Sequence, residues 1–563
     1  MDGAVSEWFM FHGDPAHTGA MTGSKIDSST IGSLKEIYTK EIGGAILSVP
    51  AIANGAIYVG TANGTTVDGK PAANGGTFHK IDLPSGDIQK SYFWTTAGHE
   101  GDTHGFTGMG CTPAIVDGRV YFSAFDGKLR CLDADTLEHI WTTDLRMADP
   151  GQNQPITNNA GTKGSEGDNP QAEGWCSPLV VNGRVYVGMG EGENPELYAF
   201  VFCLDAEDGK VEWIFCTNQY VEGQPNSPNV LPADVVAGTP PRPFTTTTQQ
   251  PVCKGCSIWA SIAYDAGLDR IFCTTGNPQP DKPLGQAPYY SYGILALDAK
   301  TGAEMGFFQA PPESNYRPSD IDVDFGGSPV VFRLGNRTVV CAACKNGGFF
   351  VVDAETMTCL NWRQLLPYHK DGSQVVNVDP HGPDTGDDMN PVLTNAGSNA
   401  TPAENLYGSY STPAVHTGLQ RLFVGIGGNN YHFIAPGIDH ESTPFMRALD
   451  WTTLEDAWEL DDGDPRKYVK PAPPMYETAG ESGLSSPAVV NDVVFCSTSK
   501  IALYGFDAND GTLLFSDDLG TQTLGMNGGY GYCLGPAVAG NYVVAGGLVM
   551  GRDGGVLRVF GLD

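Results

Sequence analysis

The sequence predicts an all-β chain folded as a single eight-bladed β-propeller of four-stranded antiparallel blades. Three observations carry that expectation. Apolar alternation comes in short runs bounded by Gly, Pro, Asn and Asp, while capped runs of helical period are almost absent. One unit repeats along the whole chain: a small residue and a proline, an apolar strand, a tight turn, a second strand, a third strand closed by Asp-Ala-x-Thr-Gly or a variant, and a fourth strand. The closing Asp recurs eight times, at Asp82, Asp133, Asp205, Asp298, Asp353, Asp450, Asp507 and Asp563. Short intervals between these marks fit one blade each, and long ones fit a blade plus an insertion.

The unit is clearest from Trp259 onward. Ile258 to Asp265 alternates and reads as a strand, and Gly267-Leu268-Asp269 turns the chain. Arg270 to Thr275 reads as the second strand, stopped by Gly276-Asn277-Pro278. Gly293 to Asp298 and Glu304 to Phe308 follow as third and fourth strands. The last unit ends at Leu562-Asp563, after its third strand. The run Leu34 to Ile42 can supply the missing outer strand and close the ring, which leaves only short, protected edges. Residues 1–563 therefore read as one domain. A pair of β-sandwiches would not show this repeat.

Insertions fall at about 143–175, 214–256 and 364–408, each between the fourth strand of one blade and the first of the next. In an up-and-down blade these connections share a face with the ends of the second strands. Those ends carry Glu191 and Glu193, Asn277, and Lys345. The lead-ins to the first strands carry Trp175, Trp259, Asp322 with Asp324, and Tyr410. Topology thus gathers carboxylates, an amide, an ammonium and aromatic rings at one loop-walled mouth, where binding sites are favoured.

Composition limits the function classes. The 65 acidic against 32 basic residues give a net charge of -33. Such a surface repels phosphate backbones and stays soluble. No apolar run reaches the length of a membrane span. No basic, apolar signal segment precedes Trp8. The 13 cysteines are too sparse for a disulfide scaffold, and several fall inside strands, where a thiol acts as a small hydrophobe. Two Cys-x-x-Cys pairs, Cys253/Cys256 and Cys341/Cys344, leave a local disulfide or a zinc site open. The absence of Cys-x-x-Cys-His excludes covalent c-type haem on this sequence.

Glu193, Asn277 and the run Asp320-Ile321-Asp322-Val323-Asp324 offer hard oxygen donors that suit Ca²⁺ or a lanthanide. Read singly, each has an ordinary explanation. Loop acids are usually solvated, Asn before Pro favours a turn, a turn lysine faces water, and a tryptophan on an inner strand belongs to the core. Their convergence on one mouth raises the functional reading. Gly188-Met189-Gly190-Glu191-Gly192 has no helix behind it, so no dinucleotide site is implied.

These segments resemble the quinoprotein alcohol dehydrogenases that use pyrroloquinoline quinone (PQQ), and most of all their polyvinyl alcohol dehydrogenase-like branch. The resemblance covers nearly the whole chain and is densest from Trp259 to Lys345. Trp259 through Asp265, followed by Thr275-Gly276-Asn277-Pro278, resembles the family's Trp strand and its metal-binding turn. It implies Trp259 as the floor beneath the quinone and Asn277 as a metal ligand. Val187 to Glu193 resembles the segment that supplies a metal-binding Glu, in the register of Glu193. Asp322 to Pro329 resembles the lead-in with the catalytic Asp, with Asp324 as a second, lanthanide-favouring acid. Ala343-Cys344-Lys345-Asn346-Gly347 resembles the strand end whose Lys contacts the quinone. Cys111, Trp175 and Tyr410 complete the implied cofactor surround. The chain departs from the family in having the single Cys111, with no adjacent cysteine and no following Arg, in Gly108-Met109-Gly110-Cys111-Thr112-Pro113.

The resemblance implies a PQQ-dependent alcohol dehydrogenase holding Ca²⁺ or a lanthanide. Asp322 would be its general base and Lys345 its stabiliser of developing oxyanion charge. It implies a small-molecule or polymeric alcohol as substrate, a cytochrome c as external acceptor, and a periplasmic or secreted setting. The alternatives are a non-catalytic propeller scaffold and a quinoprotein-like enzyme with an altered cofactor.

Overall fold

The computed structural model describes residues 7–62, 65–67, 70–72, 75–95, 107–145, 174–190, 199–217, 254–279, 290–310, 325–344, 348–365, 368–370, 374–376, 411–425, 446–461, 464–469, 485–497, 503–517, 535–548 and 555–562. They form eight antiparallel blades around one axis. Among them the only helix is a single 3-10 turn, Ile31–Ser33.

The inner strands of the blades are, in order, Ala51–Ala53, Ala114–Val116, Leu179–Val181, Ala263–Asp265, Val330–Leu334, Ala414–His416, Ala488–Val490 and Ala537–Ala539. Each pairs with the next strand in sequence through a tight turn. In the first three blades that turn is Asn54-Gly55, Asp117-Gly118 or Asn182-Gly183, with both residues at positive φ. Such turns match the right-handed twist of the flanking strands, and Asn-Gly or Asp-Gly tolerates them best.

The repeating aspartate has a physical role. The Asp298 carboxylate accepts from the Lys300 and Thr301 backbone N–H groups and from the Thr301 hydroxyl. Asp133, Asp205, Asp353 and Asp450 bind their own turns in the same way. This local capping reverses the chain between third and fourth strands.

The same turns dock neighbouring blades. The carbonyl of Ala206 accepts from Arg119, Tyr121 and Trp141 of the blade before it. The carbonyl of Ala299 accepts from Tyr186 at 2.8 Å and from Trp213 Nε1 at 3.3 Å. The indole also explains the glycine that follows. A Cβ on Gly302 would stand 2.6 Å from the Trp213 ring, and one on Gly209 would stand 2.5 Å from Trp141. Between these contacts the blades bury layers of Val, Ile, Leu and Phe. Each such side chain contributes roughly 1.5–3 kcal/mol when fully buried.

The ring closes as expected. Lys35–Glu41 pairs antiparallel with Gly555–Gly561 and completes the eighth blade. Arg558, buried under this strand, binds Glu36 and Asp517. Two blades differ from the four-stranded plan. In the sixth, three strands are laddered and the fourth is reduced to a bridge between Leu449 and Asp456. The seventh gains a fifth strand, Ala20–Met21, parallel to its inner strand.

That extra strand ends a segment the repeat pattern does not reveal. Residues 8–21 run along the inner strands and take their exposed N–H groups. Ile52 donates to the Trp8 carbonyl, Ile115 to Phe9, Tyr264 to Pro15, Val331 to Ala16, Val415 to Thr18 and Val489 to Gly19, all within 2.7–2.9 Å. Trp8, Met10, His12 and His17 are buried there. The His12 ring reaches the carbonyls of His17 and Pro487, and the His17 ring reaches that of Pro329. The segment lines the axis from the first blade to the seventh.

Ile258 to Asp265 is not one strand, as its alternation suggests. Only Ala263–Asp265 is laddered. The residues before it form an extended stem whose polar groups bond to other elements, which alternation cannot distinguish from a strand.

Candidate functional site

Each inner strand is reached through such a stem, and the stems ring one mouth of the axis. Thr112, Ser177, Ser261, Ser328, Thr412 and Ser486 occupy equivalent stem places in blades two to seven. They are linked in series. The backbone N–H of Thr112 donates to Ser177 Oγ at 3.0 Å, and Ser177 N–H donates to Ser261 Oγ at 3.2 Å. Ser261 N–H donates to Ser328 Oγ at 2.9 Å, and Ser328 N–H donates to Thr412 Oγ1 at 3.1 Å. Thr412 N–H donates to Ser486 Oγ at 2.9 Å. The equivalent residues of blades one and eight are Val49 and Gly535, which have no hydroxyl.

Two places before the hydroxyl, the stems carry the residues expected at the mouth: Trp175 before Ser177, Trp259 before Ser261 and Tyr410 before Thr412. Trp259 is half-buried, and Ala260 and Ile258 on either side of it are buried. Its stem lies between two second-strand ends. On one side the Gly276 N–H donates to the Ser257 carbonyl and the Cys256 N–H to the Asn277 carbonyl. On the other, a Cβ on Gly188 would stand 2.2 Å from the Ile258 carbonyl oxygen. The stem before Trp259 is thereby held between the Asn277 turn and the strand Arg184–Met189. Asn277 itself is 5% exposed, too buried for the solvated turn residue that its neighbouring proline suggests.

Trp175 is also half-buried. It meets Phe125 edge-on, with ring centroids 4.8 Å apart. Both pack with Ala45, Leu47 and Ala62 of the first blade. Gly110 makes this possible, because a Cβ there would stand 2.6 Å from Phe125 and 2.9 Å from Trp175. Phe125 has a sequence counterpart of interest. Ala124 N–H donates to the Lys128 carbonyl, as Cys344 N–H donates to that of Gly348. In sequence, Phe125 follows Ala124 as Lys345 follows Cys344. Behind Phe125, Asp126 and Arg130 form a buried ion pair. Arg130 also lies over the Trp94 ring at 5.2 Å.

Cys111 lies one place behind the mouth. Its thiol is 1% exposed and donates to the Ser123 carbonyl at 3.2 Å. Burial pushes its pKa up to about 11, so it is a neutral thiol engaged within its blade. Cys176, at the same place in the next blade, accepts from the Gly188 N–H. Burial pushes its thiol up to about 12.

The structure thus brings Trp259, Asn277, Trp175 and the backbone at Cys111 to one mouth. Glu191, Glu193, Asp320, Asp322, Asp324, Lys345 and Tyr410 lie outside the described residues, as does Cys253. Among the described residues no cluster of three or more His, Cys, Asp or Glu could hold a metal. Cys341 is buried within its strand, and among the described residues no third His, Cys, Asp or Glu joins Cys341 and Cys344 in a group that could hold zinc. No helix among the described residues is long and apolar enough to cross a membrane. The series of stem hydroxyls was missed in the sequence, although its trace is the small residue before each inner strand.

Comparison with known proteins agrees with this architecture. Residues 159–360 match the family model for the β-propeller domain of PQQ-dependent glucose/ethanol/alcohol dehydrogenases. The chain is 26% identical over 381 residues to the dehydrogenase subunit of a quinone alcohol dehydrogenase from Gluconacetobacter polyoxogenes, covering 63% of this chain and 46% of that one. It is 24% identical over 500 residues to the quinohemoprotein alcohol dehydrogenase of Comamonas testosteroni, covering 78% and 62%. The chain therefore spans about half to three fifths of the length of these relatives. Among solved structures, quinohemoprotein alcohol dehydrogenase ADHIIG of Pseudomonas putida HK5 superposes with a TM-score of 0.64 at 16% identity, over 99% of this chain and 80% of that one. A europium-containing methanol dehydrogenase superposes with a TM-score of 0.63 at 15% identity, over 99% and 98%. At these identities the superpositions establish the fold.

Fold and comparisons together describe an eight-bladed β-propeller similar to those of quinoprotein dehydrogenases. Its relatives are the PQQ-dependent quinoprotein alcohol dehydrogenases, the family its sequence resembles. They do not single out the polyvinyl alcohol dehydrogenase-like branch.

Proposed function

We propose that this chain is the catalytic propeller of a PQQ- and metal-dependent dehydrogenase. It oxidises an alcohol, of small-molecule or polymeric and secondary or polyol type, to a carbonyl compound. Electrons pass to an external acceptor such as a cytochrome c, in a periplasmic or secreted setting. The observation that carries this reading is Trp259. A large ring stays partly buried in a stem at the mouth, and Asn277, whose carbonyl accepts from the Cys256 N–H of that stem, is buried.

The described residues fit the group. An indole face suits a planar quinone, and the amide of Asn277 is a hard oxygen donor of the kind Ca²⁺ or a lanthanide takes. Bound there, the quinone supplies the two-electron acceptor and the metal a Lewis acid at its carbonyl.

The remaining work belongs to the chain. Trp259 fixes the plane of the ring. Glu193, Asn277, Asp322 and Asp324 would hold the metal. Asp322 takes the proton from the substrate hydroxyl. The Lys345 ammonium stabilises negative charge that develops on oxygen during the oxidation. Trp175 and Tyr410 wall the site, and Cys111 supports that wall from behind.

The test is a titration of metal-stripped protein with PQQ, with Ca²⁺ and with La³⁺ in separate arms. Quinone absorbance is followed together with dye-linked oxidation of primary and secondary alcohols. Metal-dependent binding with dye reduction is expected. No binding with either metal would refute the reading in favour of a scaffold or an altered cofactor.

A further inference from the structure

The five hydrogen bonds that link six stem residues at the mouth run in one direction. Each backbone N–H donates to the side chain of the next blade, from Thr112 to Ser486. Thr112, Ser177, Ser261, Ser328 and Thr412 are all 4% exposed or less. A buried N–H must find an acceptor. Here each stem meets that need with its neighbour's hydroxyl and so fixes the spacing of adjacent stems. The middle of the series carries the proposed site, since Trp175 and Trp259 each stand two residues before a linked serine.

Further bonds tie the same stems to the second-strand ends. Gly327 N–H donates to the Ala343 carbonyl at 3.2 Å, two residues before Lys345. Thr274 Oγ1 donates to the Gly327 carbonyl at 3.3 Å, three residues before Asn277. Ser123 Oγ donates to the Cys176 carbonyl at 2.9 Å, next to Trp175.

We infer that Ser261 is a positioning residue for Trp259, acting through this girdle of hydroxyls, and that Ser177 and Ser328 on either side of it share the task. Ser261 is linked on both sides. Its hydroxyl accepts from blade three and its N–H donates to blade five. It therefore registers the indole against both neighbouring blades at once. The inference rests on the proposed role of Trp259 as the quinone floor only in its functional readout. The mechanical part stands on the hydrogen bonds alone.

The experiment compares Ser261→Ala with Ser261→Thr. Thr112 and Thr412 show that threonine fits this register. Two quantities are read. One is the affinity for PQQ with Ca²⁺, measured by quenching of tryptophan fluorescence. The other is the anisotropy decay of Trp259 in cofactor-free protein, isolated by difference against the same variants carrying Trp259→Phe. Expected for Ser261→Ala is a cooperative thermal transition, faster indole motion and quinone affinity weakened about tenfold, the scale at which outer supports act on a site. Ser261→Thr restores both. Should Ser261→Ala not fold, Ser328→Ala removes the acceptor of the Ser261 N–H and is read in the same way. A lowered melting temperature with unchanged indole motion overturns the inference, because the hydroxyl would then serve stability alone. If wild-type protein binds no PQQ, the functional reading fails, while the anisotropy comparison still decides the positioning role.

Discussion

Trp175 rests edge-on against Phe125, 4.8 Å between ring centroids, over a residue with no side chain, Gly110. The two rings come from different blades and seal the boundary between them at the mouth.

Gly110→Ala should break that seal. The new methyl would stand 2.6 Å from Phe125 and 2.9 Å from Trp175, so a ring must move. Overpacking of this kind costs about 1–3 kcal/mol. Urea unfolding should show a loss in that range together with a shifted tryptophan emission. Wild-type stability and emission would mean that the rings are free to give way.

Lys345→Ala should abolish turnover in the quinone-loaded protein and leave the melting temperature within a few degrees of wild type. An electrostatic stabiliser of this kind is worth about 10²–10³ in rate. Full activity in the variant would remove Lys345 from the mechanism.

Trp213→Phe should test the docking of blade three on blade four. Phenylalanine keeps most of the ring packing against Gly302 but loses the hydrogen bond to the Ala299 carbonyl. That carbonyl keeps Tyr186 as a donor. The expected cost is therefore only about 1 kcal/mol. A loss above about 3 kcal/mol, the scale of a deleted core aromatic, would show that the ring had lost its place.

The axial segment should make stability depend on acid. Burial pushes the His12 ring down to about 4. Burial, helped by the charge of His12, pushes His17 down to about 3. The unfolded chain takes up these protons near 6.5, while the folded chain resists until far lower. Their contribution is therefore complete above about pH 6.5 and is lost as pH falls through 6 and 5 toward 4. The slope is about 1.4 kcal/mol per pH unit for each histidine. Asp14, whose carboxyl burial pushes up, works in the opposite sense above its ordinary value. His17→Gln should lower proton uptake on unfolding at pH 5 by about one. An unchanged uptake would mean that His17 is already charged in the folded state.

The blades could be read from the chain because each ends in a local device. The Asp298 carboxylate and its equivalents cap their own turns within three residues, so their spacing survives as a pattern. The closing strand could be read because the final unit lacks its fourth member. The stem of Trp259 was mistaken for part of a strand, since Ile258, Ala260 and Ile262 alternate alike in both. The axial segment escaped for a different reason. It contributes mainly backbone carbonyls, such as those of Trp8, Pro15 and Gly19, and a carbonyl has no signature in a sequence. Trp259 and Asn277 were legible as a convergence, but the stem hydroxyls appeared only as small residues beside prolines.

Pairing of Lys35–Glu41 with Gly555–Gly561 also orders events in time. The strand Lys35–Glu41 is translated long before its partner Gly555–Gly561. The axial segment ahead of it waits for inner strands from the first blade to the seventh. During synthesis these two segments must stay unpaired while the blades between them and their partners are translated. Unpaired strand edges in such a state invite mispairing. The nascent chain should therefore lean on holding chaperones until Gly555–Gly561 clears the ribosome. A ribosome stalled before Gly555 should carry a chain that proteases cut first near Lys35.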